Sequence, residues 1–276
     1  MSETSFTTST NAHQTCTVTD VRRVAAMLDC DAADIGLGSI LPFGWHFPLL
    51  AGETRRSALR ADGFPGLGVE MPDLGLPRVL LGGRLVRYLG NIPVGSTVNR
   101  TSEVKKLDHK QSASGPMALA TIVHELRPEG SDQPAIVETQ TYLLFPAGQR
   151  NAAPATADQA VRAEVRKTVT PDETMLFQYS ALGFNSHKIH IDRDYAREVE
   201  GHPDLVVNGG LTTLLLTEFL GNDVGIKPVG IKTRHRAPLY CGRPIEFVAG
   251  RHEGNWRVGA HDEQGRLAVE LEVLAE

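Results

Sequence analysis

The chain has 276 residues, 41% of them apolar and 22% charged, enough to bury one large core or two of ordinary domain size. Its net charge of -5 argues against nucleic acid as the main partner, because phosphate backbones attract basic surfaces. Its three cysteines are an odd number at wide spacing, which suits neither a disulfide framework nor a zinc site, so reduced thiols are expected.

The first residues of the chain are predicted to be unstructured. Residues 1–15 are rich in Ser and Thr, which favours a disordered tail. They lack a basic segment followed by an apolar one, and no apolar run in the chain approaches the roughly 18 residues that span a bilayer. A cytoplasmic protein with no membrane partner is therefore expected.

A helix followed by four strands is predicted within residues 16–146. Thr17 or Thr19 can cap the helix. Its apolar face has helical spacing and consists of Val21, Val24, Ala25 and Leu28. Residues 35–72 are dense in Gly and Pro and are predicted to be loop, with room for one short helix. Period-two patterns then predict antiparallel strands at 84–90, 96–107, 116–127 and 136–145.

The same order of elements recurs in the second half of the chain. Residues 147–162 have almost no large apolar side chains and are predicted to be a linker. Within residues 163–276, helical patterns occur near 173–182 and 208–221. Strand patterns follow at 230–240, 244–250, 256–262 and 267–274. The repeat predicts two similar units of the α+β class.

The most distinctive segment is LFQYSALGFNSHKIHIDRDYAREVEGHPDLVVNGGL, residues 176–211. It resembles the F-x-Y-S-A-x-x-F-N-x-H-x-I-H-x-D-x-x-Y-A signature, followed by G-x-P-x-L-V-V-H-G-P-L, of a subgroup of the MaoC-like hydratase/dehydratase superfamily. That subgroup is related to 3-hydroxyacyl-thioester dehydratases and to mesaconyl-C4-CoA (3-methylfumaryl-CoA) and itaconyl-CoA hydratases. PFGWHFPLLAG and GLPRVLLGGRL resemble the N-terminal half of the same subgroup. The resemblance extends over most of residues 17–276.

The resemblance implies a double hotdog fold, in which a long central helix is wrapped by a curved antiparallel sheet twice in one chain. It implies that the C-terminal unit adds water to, or removes it from, a CoA-bound α,β-unsaturated acid. A short branched dicarboxylic acyl-CoA such as itaconyl-CoA or mesaconyl-CoA is the expected substrate. Coenzyme A enters with that substrate, no separate cofactor is expected, and a homodimer is implied.

Three residues are the candidate catalytic groups. His190 suits proton transfer, because imidazole titrates near neutrality. Asn185 can orient a water molecule but cannot exchange protons as a carboxylate does. The N–H of Gly209, at a predicted helix start, can hold the thioester oxygen as negative charge develops. Related (R)-specific hydratases have an Asp where this chain has Asn185. Either His190 works alone with a positioned water, or Asp192 or a more distant carboxylate completes the pair.

Further residues are candidates for substrate binding. Alternation along one strand places Lys232, Arg234 and Arg236 on one face, where they could meet the phosphates of coenzyme A, although a solvated charged face gives the same pattern. The other candidates are His187, Gly210 and Arg84. The Asn-Gly-Gly run before the helix can equally be only a cap and turn. No metal is expected, because His187 and His190 have no third ligand at a suitable spacing.

Two other functions remain open from the sequence. A thioesterase on the same fold would direct water at the thioester carbonyl instead of the β-carbon. A non-catalytic acyl-CoA-binding protein would explain why an amide stands where related hydratases have an acid.

Overall fold

The computed structural model describes residues 8–112, 115–146 and 163–274. Ten strands form one antiparallel sheet, in the order β1-β3-β4-β5-β2-β7-β10-β9-β8-β6. The strands are β1 (Ser9–Thr15), β2 (Arg78–Tyr88), β3 (Thr97–Ser112), β4 (Gly115–Pro128), β5 (Ile136–Phe145), β6 (Val165–Val169), β7 (Gly230–His235), β8 (Ile245–His252), β9 (Asn255–His261) and β10 (Leu267–Val273).

The strand order divides the sheet into two similar halves. Strands β1 to β5 occupy one half and β6 to β10 the other, and each half has the same internal order when read outward from the centre. The halves join where β2 pairs with β7, with Arg84 opposite Thr233 and Val86 opposite Ile231. The predicted repeat is therefore present as one continuous sheet.

In the residues that the structure describes, three α-helices pack against this sheet. They are α1 (Val18–Met27), α2 (Glu173–Leu182) and α3 (Gly209–Phe219). Thr17 caps α1 by accepting a hydrogen bond from the Asp20 amide, as predicted, and Asp172 caps α2 in the same way through Met175. Nearly every side chain of α3 is buried, which is the pattern of a helix at the centre of a core.

The two units differ at the position of α3. The C-terminal unit has a central helix, whereas in the N-terminal unit residues 28–77 hold only two short 3-10 turns, Phe47–Leu50 and Arg56–Ala58. The expectation of a long central helix in each unit is therefore correct for the C-terminal unit only. Gly63, Gly66 and Gly68 have positive φ, so the backbone there cannot continue a right-handed helix.

The beginning of the chain also differs from expectation. Ser9–Thr15 is a strand that pairs along its whole length with β3, whereas a disordered tail was predicted for residues 1–15. Its exposure alternates residue by residue, so the period-two pattern was present but was obscured by small polar side chains. Residues 1–7 and the predicted linker at 147–162 lie outside the described residues. In the described part of the chain, no helix has the length and apolar character needed to cross a membrane.

Candidate active site

A cavity of about 1410 Å³ lies between the two units and contains most of the candidate residues. The C-terminal unit contributes Asn185, His187, His190 and the start of α3. The N-terminal unit contributes side chains of β1 to β5 and of residues 47–70. The missing central helix of the N-terminal unit thus leaves room that the cavity occupies.

The turn after α2 places Asn185 at this cavity. Helix α2 ends in a Schellman motif, in which the Phe184 amide donates to Ala181 and the Asn185 amide to Ser180. Phe184 takes the left-handed conformation (φ 47°) that glycine usually provides. The Asn185 Oδ1 accepts a hydrogen bond from the His187 amide at 3.1 Å, which fixes the following turn.

His190 is buried and held in one tautomer. Its Nδ1 lies 2.7 Å from the Val206 carbonyl oxygen, and since a carbonyl only accepts, Nδ1 carries the proton. Burial, with the neighbouring His187 adding to it, lowers the pKa of His190 to about 3. The ring is therefore neutral near pH 7, and Nε2 is the nitrogen with a free lone pair for proton transfer.

His187 is the nearest aromatic neighbour of His190 in this loop, with ring centroids 5.5 Å apart. Burial lowers its pKa to about 4, and the charge of Arg60 acts in the same direction. Asp62 of the N-terminal unit approaches its Nε2 to 3.8 Å, while the Asp62 carbonyl accepts a hydrogen bond from the Lys188 amide. The N-terminal unit thus fixes the loop that carries both histidines.

The start of α3 borders the same cavity. Asn208 makes no capping hydrogen bond, so the first N–H groups of the helix lack a side-chain cap, and the helix dipole adds positive potential there. A Cβ on Gly210 would collide with the Tyr179 hydroxyl and lie 3.2 Å from Arg84 Nη1. A Cβ on Gly209 would lie 3.2 Å from the His235 ring. Glycine is therefore needed at this close approach.

A buried ion pair lies beside the helix start, and sequence patterns did not reveal it as a pair. Arg84 donates through Nε and Nη2 to Glu138, which is fully buried on β5. Glu138 also contacts His46 Nε2 at 2.7 Å and accepts from Gln140. Burial would raise the pKa of Glu138, but the charge of Arg84 and the contact with His46 outweigh it and hold that pKa well below its usual value.

This position corrects one expectation about Arg84. The residue was placed with the candidates for coenzyme A phosphates, but it is 8% exposed and its charge is balanced by Glu138. It lines the interior of the cavity next to Gly210. The alternation of β2 and β5 could have indicated two inward charged side chains, but pairing them requires the register of these strands.

The other basic candidates lie on β7 or directly after it. Lys232 and Arg234 are exposed, as the alternation predicted, and Arg234 lines the cavity. Arg236 also lines it and makes an ion pair of 2.7 Å with Glu270. Arg234 is therefore the cation of this group that is best placed for a charged part of a ligand.

Two carboxylates near the site, Asp192 and Glu200, are engaged in other contacts. Asp192 caps the next helical turn by accepting from the Tyr195 amide, and it does not line the main cavity. Glu200 lines the cavity but pairs with Arg78 at 2.8 Å. Within the described ranges, no three His, Cys, Asp or Glu side chains form a cluster that could hold a metal ion.

Solved structures with the same architecture match nearly the whole chain. A protein of Mycobacterium tuberculosis described as having a double hotdog fold covers 96% of this chain and 94% of its own, with a TM-score of 0.57 and 14% identity. A MaoC-like dehydratase from Phytophthora capsici gives a TM-score of 0.69 at 14% identity and covers 97% of this chain and 95% of that chain. The predicted double hotdog fold is confirmed.

Similarity in sequence identifies the family. Residues 44–241 match the family of hydroxyacyl-thioester dehydratases of type 2. A mesaconyl-C4-CoA hydratase from Chloroflexus aurantiacus is 30% identical over 250 residues, which are 90% of this chain and 89% of the relative. The chain therefore belongs to the MaoC-like hydroxyacyl-thioester dehydratase type 2 family, and it is a hydro-lyase of acyl thioesters.

Proposed function

We propose that this hydro-lyase hydrates a short branched dicarboxylic enoyl-CoA, such as mesaconyl-CoA or itaconyl-CoA, or dehydrates the corresponding 3-hydroxyacyl-CoA. One observation carries the proposal. His190 and the uncapped start of the buried helix α3 line the same cavity, and the neutral ring of His190 donates its Nδ1 proton to a carbonyl. The first can accept a proton from water, and the second can hold a thioester oxygen.

The first step is attack of water on the β-carbon. His190 Nε2 accepts a proton from the water as its oxygen bonds to the β-carbon, and the α,β-electron pair moves toward the thioester carbonyl. The Gly209 N–H donates to the carbonyl oxygen as it becomes an enolate. The Asn185 side-chain NH₂ group orients the water, while its Oδ1 fixes the turn that leads to His187.

The second step returns the proton. The enolate collapses, the α-carbon takes the proton from His190 Nε2, and the histidine is neutral again. One residue serves both steps, which agrees with an amide at position 185 and with the absence of a carboxylate bonded to His190 among the described residues. Dehydration follows the same path in reverse.

Two observations support a short polar acyl group. The C. aurantiacus relative, at 30% identity, is a mesaconyl-C4-CoA hydratase. The strands of the N-terminal unit place several polar side chains among the apolar lining of the cavity, and these suit a second carboxyl group. These polar side chains include Arg84, Arg100, His124, Gln140 and Tyr142. Homodimerisation stays a prediction of the family resemblance.

A panel of enoyl-CoA thioesters tests the proposal. Absorbance of the conjugated thioester should fall with mesaconyl-CoA or itaconyl-CoA, without release of free thiol. Release of thiol at the same rate would instead assign a thioesterase. Faster turnover of long monocarboxylic enoyl-CoA esters would refute the proposed substrate class.

A further inference from the structure

Arg100 occupies an unusual position in the N-terminal unit. It lies on β3 between the buried residues Val98 and Ser102 on the inward face of the sheet, and it is 7% exposed. It lines the same cavity as His190. In the C-terminal unit the central helix α3 is buried in the core, whereas in this unit the cavity extends over the inward face.

The contacts of Arg100 leave its charge unbalanced. Nη1 donates to the carbonyl oxygens of Leu49 at 3.2 Å and Ala51 at 2.9 Å, and both acceptors are uncharged. Within the part of the chain that the structure describes, no carboxylate lies within ion-pair distance of Arg100. Burial lowers the pKa of Arg100, and the charge of Glu53 opposes this only in part. Glu53 is exposed at the cavity edge and makes no ion pair with Arg100.

The nearest buried polar groups are also uncharged. His124 Nδ1 lies 2.8 Å from the Ser102 hydroxyl. Burial lowers the pKa of His124 to about 4, despite the attraction of Glu138, and Arg100 contributes to the lowering. The only other buried arginine on this face, among the described residues, is Arg84, and Glu138 already neutralises it. The inward face therefore has an excess of one positive charge.

A buried cation without a counter-ion is costly unless a ligand supplies the negative charge. A guanidinium matches a carboxylate well, because its N–H groups form a planar fork that can donate two parallel hydrogen bonds. Arg100 uses Nη1 for the carbonyls, and no hydrogen bond from a described residue engages its other nitrogens, which leaves them for such a ligand. We propose that Arg100 binds the free carboxylate at the distal end of the acyl group and so selects dicarboxylic acyl-CoA esters. This role of Arg100 rests on the proposed function, and it identifies the residue that recognises the second carboxylate of the substrate.

Binding of saturated esters tests this without catalysis. Succinyl-CoA and butyryl-CoA have the same chain length, but only succinyl-CoA carries a distal carboxylate, and neither can be hydrated. Calorimetric titration of the wild-type protein should show at least about 10-fold tighter binding of succinyl-CoA. In Arg100→Gln, succinyl-CoA should bind about 10- to 100-fold more weakly, while butyryl-CoA changes less than about 3-fold.

Two further variants separate recognition from folding. Arg100→Lys keeps the charge but not the planar fork, so it should retain part of the preference for succinyl-CoA. Arg234→Gln removes a cation that the C-terminal unit contributes to the cavity and should weaken both esters alike. Equal affinity of the wild type for both esters, or equal weakening of both in Arg100→Gln, would overturn the role of Arg100. A retained preference without hydration of any enoyl-CoA would instead overturn the proposed catalytic activity.

Discussion

At the scale of single residues, His190 combines two properties that a proton-transfer group needs. Its Nδ1 is fixed by the Val206 carbonyl, which orients the ring and leaves Nε2 as the basic nitrogen. Its burial keeps the ring neutral. The hydrogen bond to Val206 depends on the segment just before α3, so the base and the helix start are positioned by the same stretch of chain.

Replacement of His190 tests its proposed role. His190→Gln should lower kcat for hydration by about 10²- to 10⁴-fold with a small change in KM, because the variant removes proton transfer but little of the binding surface. His109→Gln, at an exposed position on β3, is the control and should behave like the wild type. Steady-state kinetics of both variants measure this effect. A His190→Gln enzyme with wild-type kcat would exclude proton transfer by His190.

The pH dependence follows from the lowered pKa of His190. The neutral form is the active one, and its pKa of about 3 means that it persists well below the range in which an ordinary histidine becomes protonated. We expect kcat/KM to stay flat from pH 8 to about pH 5 and to decline only at lower pH. An acidic limb centred near pH 6.5 would show that the catalytic base titrates as a solvent-exposed histidine does.

At the scale of elements, the start of α3 is the most tightly constrained part of the site. Tyr179 on α2 and Arg84 on β2 meet at Gly210, so two units and three elements converge there. The close approach explains why a residue with no side chain is needed beside Tyr179, which also lines the cavity.

Gly210→Ala is expected to disturb this contact. The new methyl group would displace Tyr179 or the helix start, and we predict a fall in kcat of about 10²-fold or more through misplacement of the oxyanion donors. The double variant Gly210→Ala/Tyr179→Phe, which removes the colliding hydroxyl, should recover part of that loss in the same kinetic assay. A Gly210→Ala enzyme with wild-type kcat would show that the helix start does not contact the reacting thioester.

Helices and strands with strong periodicity could be predicted from the sequence. The segment at residues 176–211 pointed to His190, Asn185 and Gly209, which line one cavity. β1 was missed because Ser, Thr and Asn dominate it, although its exposure alternates. The Arg84–Glu138 pair and Arg100 were missed for a different reason. In the sequence pattern of a strand, a buried charged residue cannot be distinguished from an exposed one until the strand register and the loops that cover the sheet are known.

At the scale of the whole molecule, the N-terminal unit supports the site without supplying the proposed base. Residues 60–64 of this unit hold the loop that carries His187 and His190, through hydrogen bonds to the carbonyl oxygens of Asp62 and Gly63. Its strands carry a buried polar network centred on Glu138. A network of this kind stabilises only when complete, because removing one member leaves the others buried and unbalanced.

Glu138→Gln should destabilise the protein by about 3–5 kcal/mol, because Arg84 would remain buried without its counter-ion. Denaturant unfolding at pH 7 measures this. Glu246→Gln, which removes an exposed ion pair with Arg166, is the control and should cost at most about 1 kcal/mol. A loss for Glu138→Gln no larger than that of the control would contradict the account.

The difference in unfolding free energy between the wild type and Glu138→Gln should change with pH in one direction only. The folded-state pKa of Glu138 is lower than its unfolded value of 4.5, so its contribution is fully present above that pH. The stability gap between the wild type and Glu138→Gln should therefore be constant from pH 8 to about 5 and should narrow as the pH falls further. A stability difference that grows as the pH falls would show that the pKa of Glu138 is raised on folding and not lowered.

The most direct test of the account is the mass of the thioester after incubation of the wild-type protein with mesaconyl-CoA in ¹⁸O-labelled water. Addition of one labelled water to an acyl-CoA that remains intact is the predicted result, and His190→Gln should leave the substrate unchanged over the same time. Recovery of unaltered mesaconyl-CoA from the wild type, or of a labelled free acid with released coenzyme A, would contradict hydration at the β-carbon.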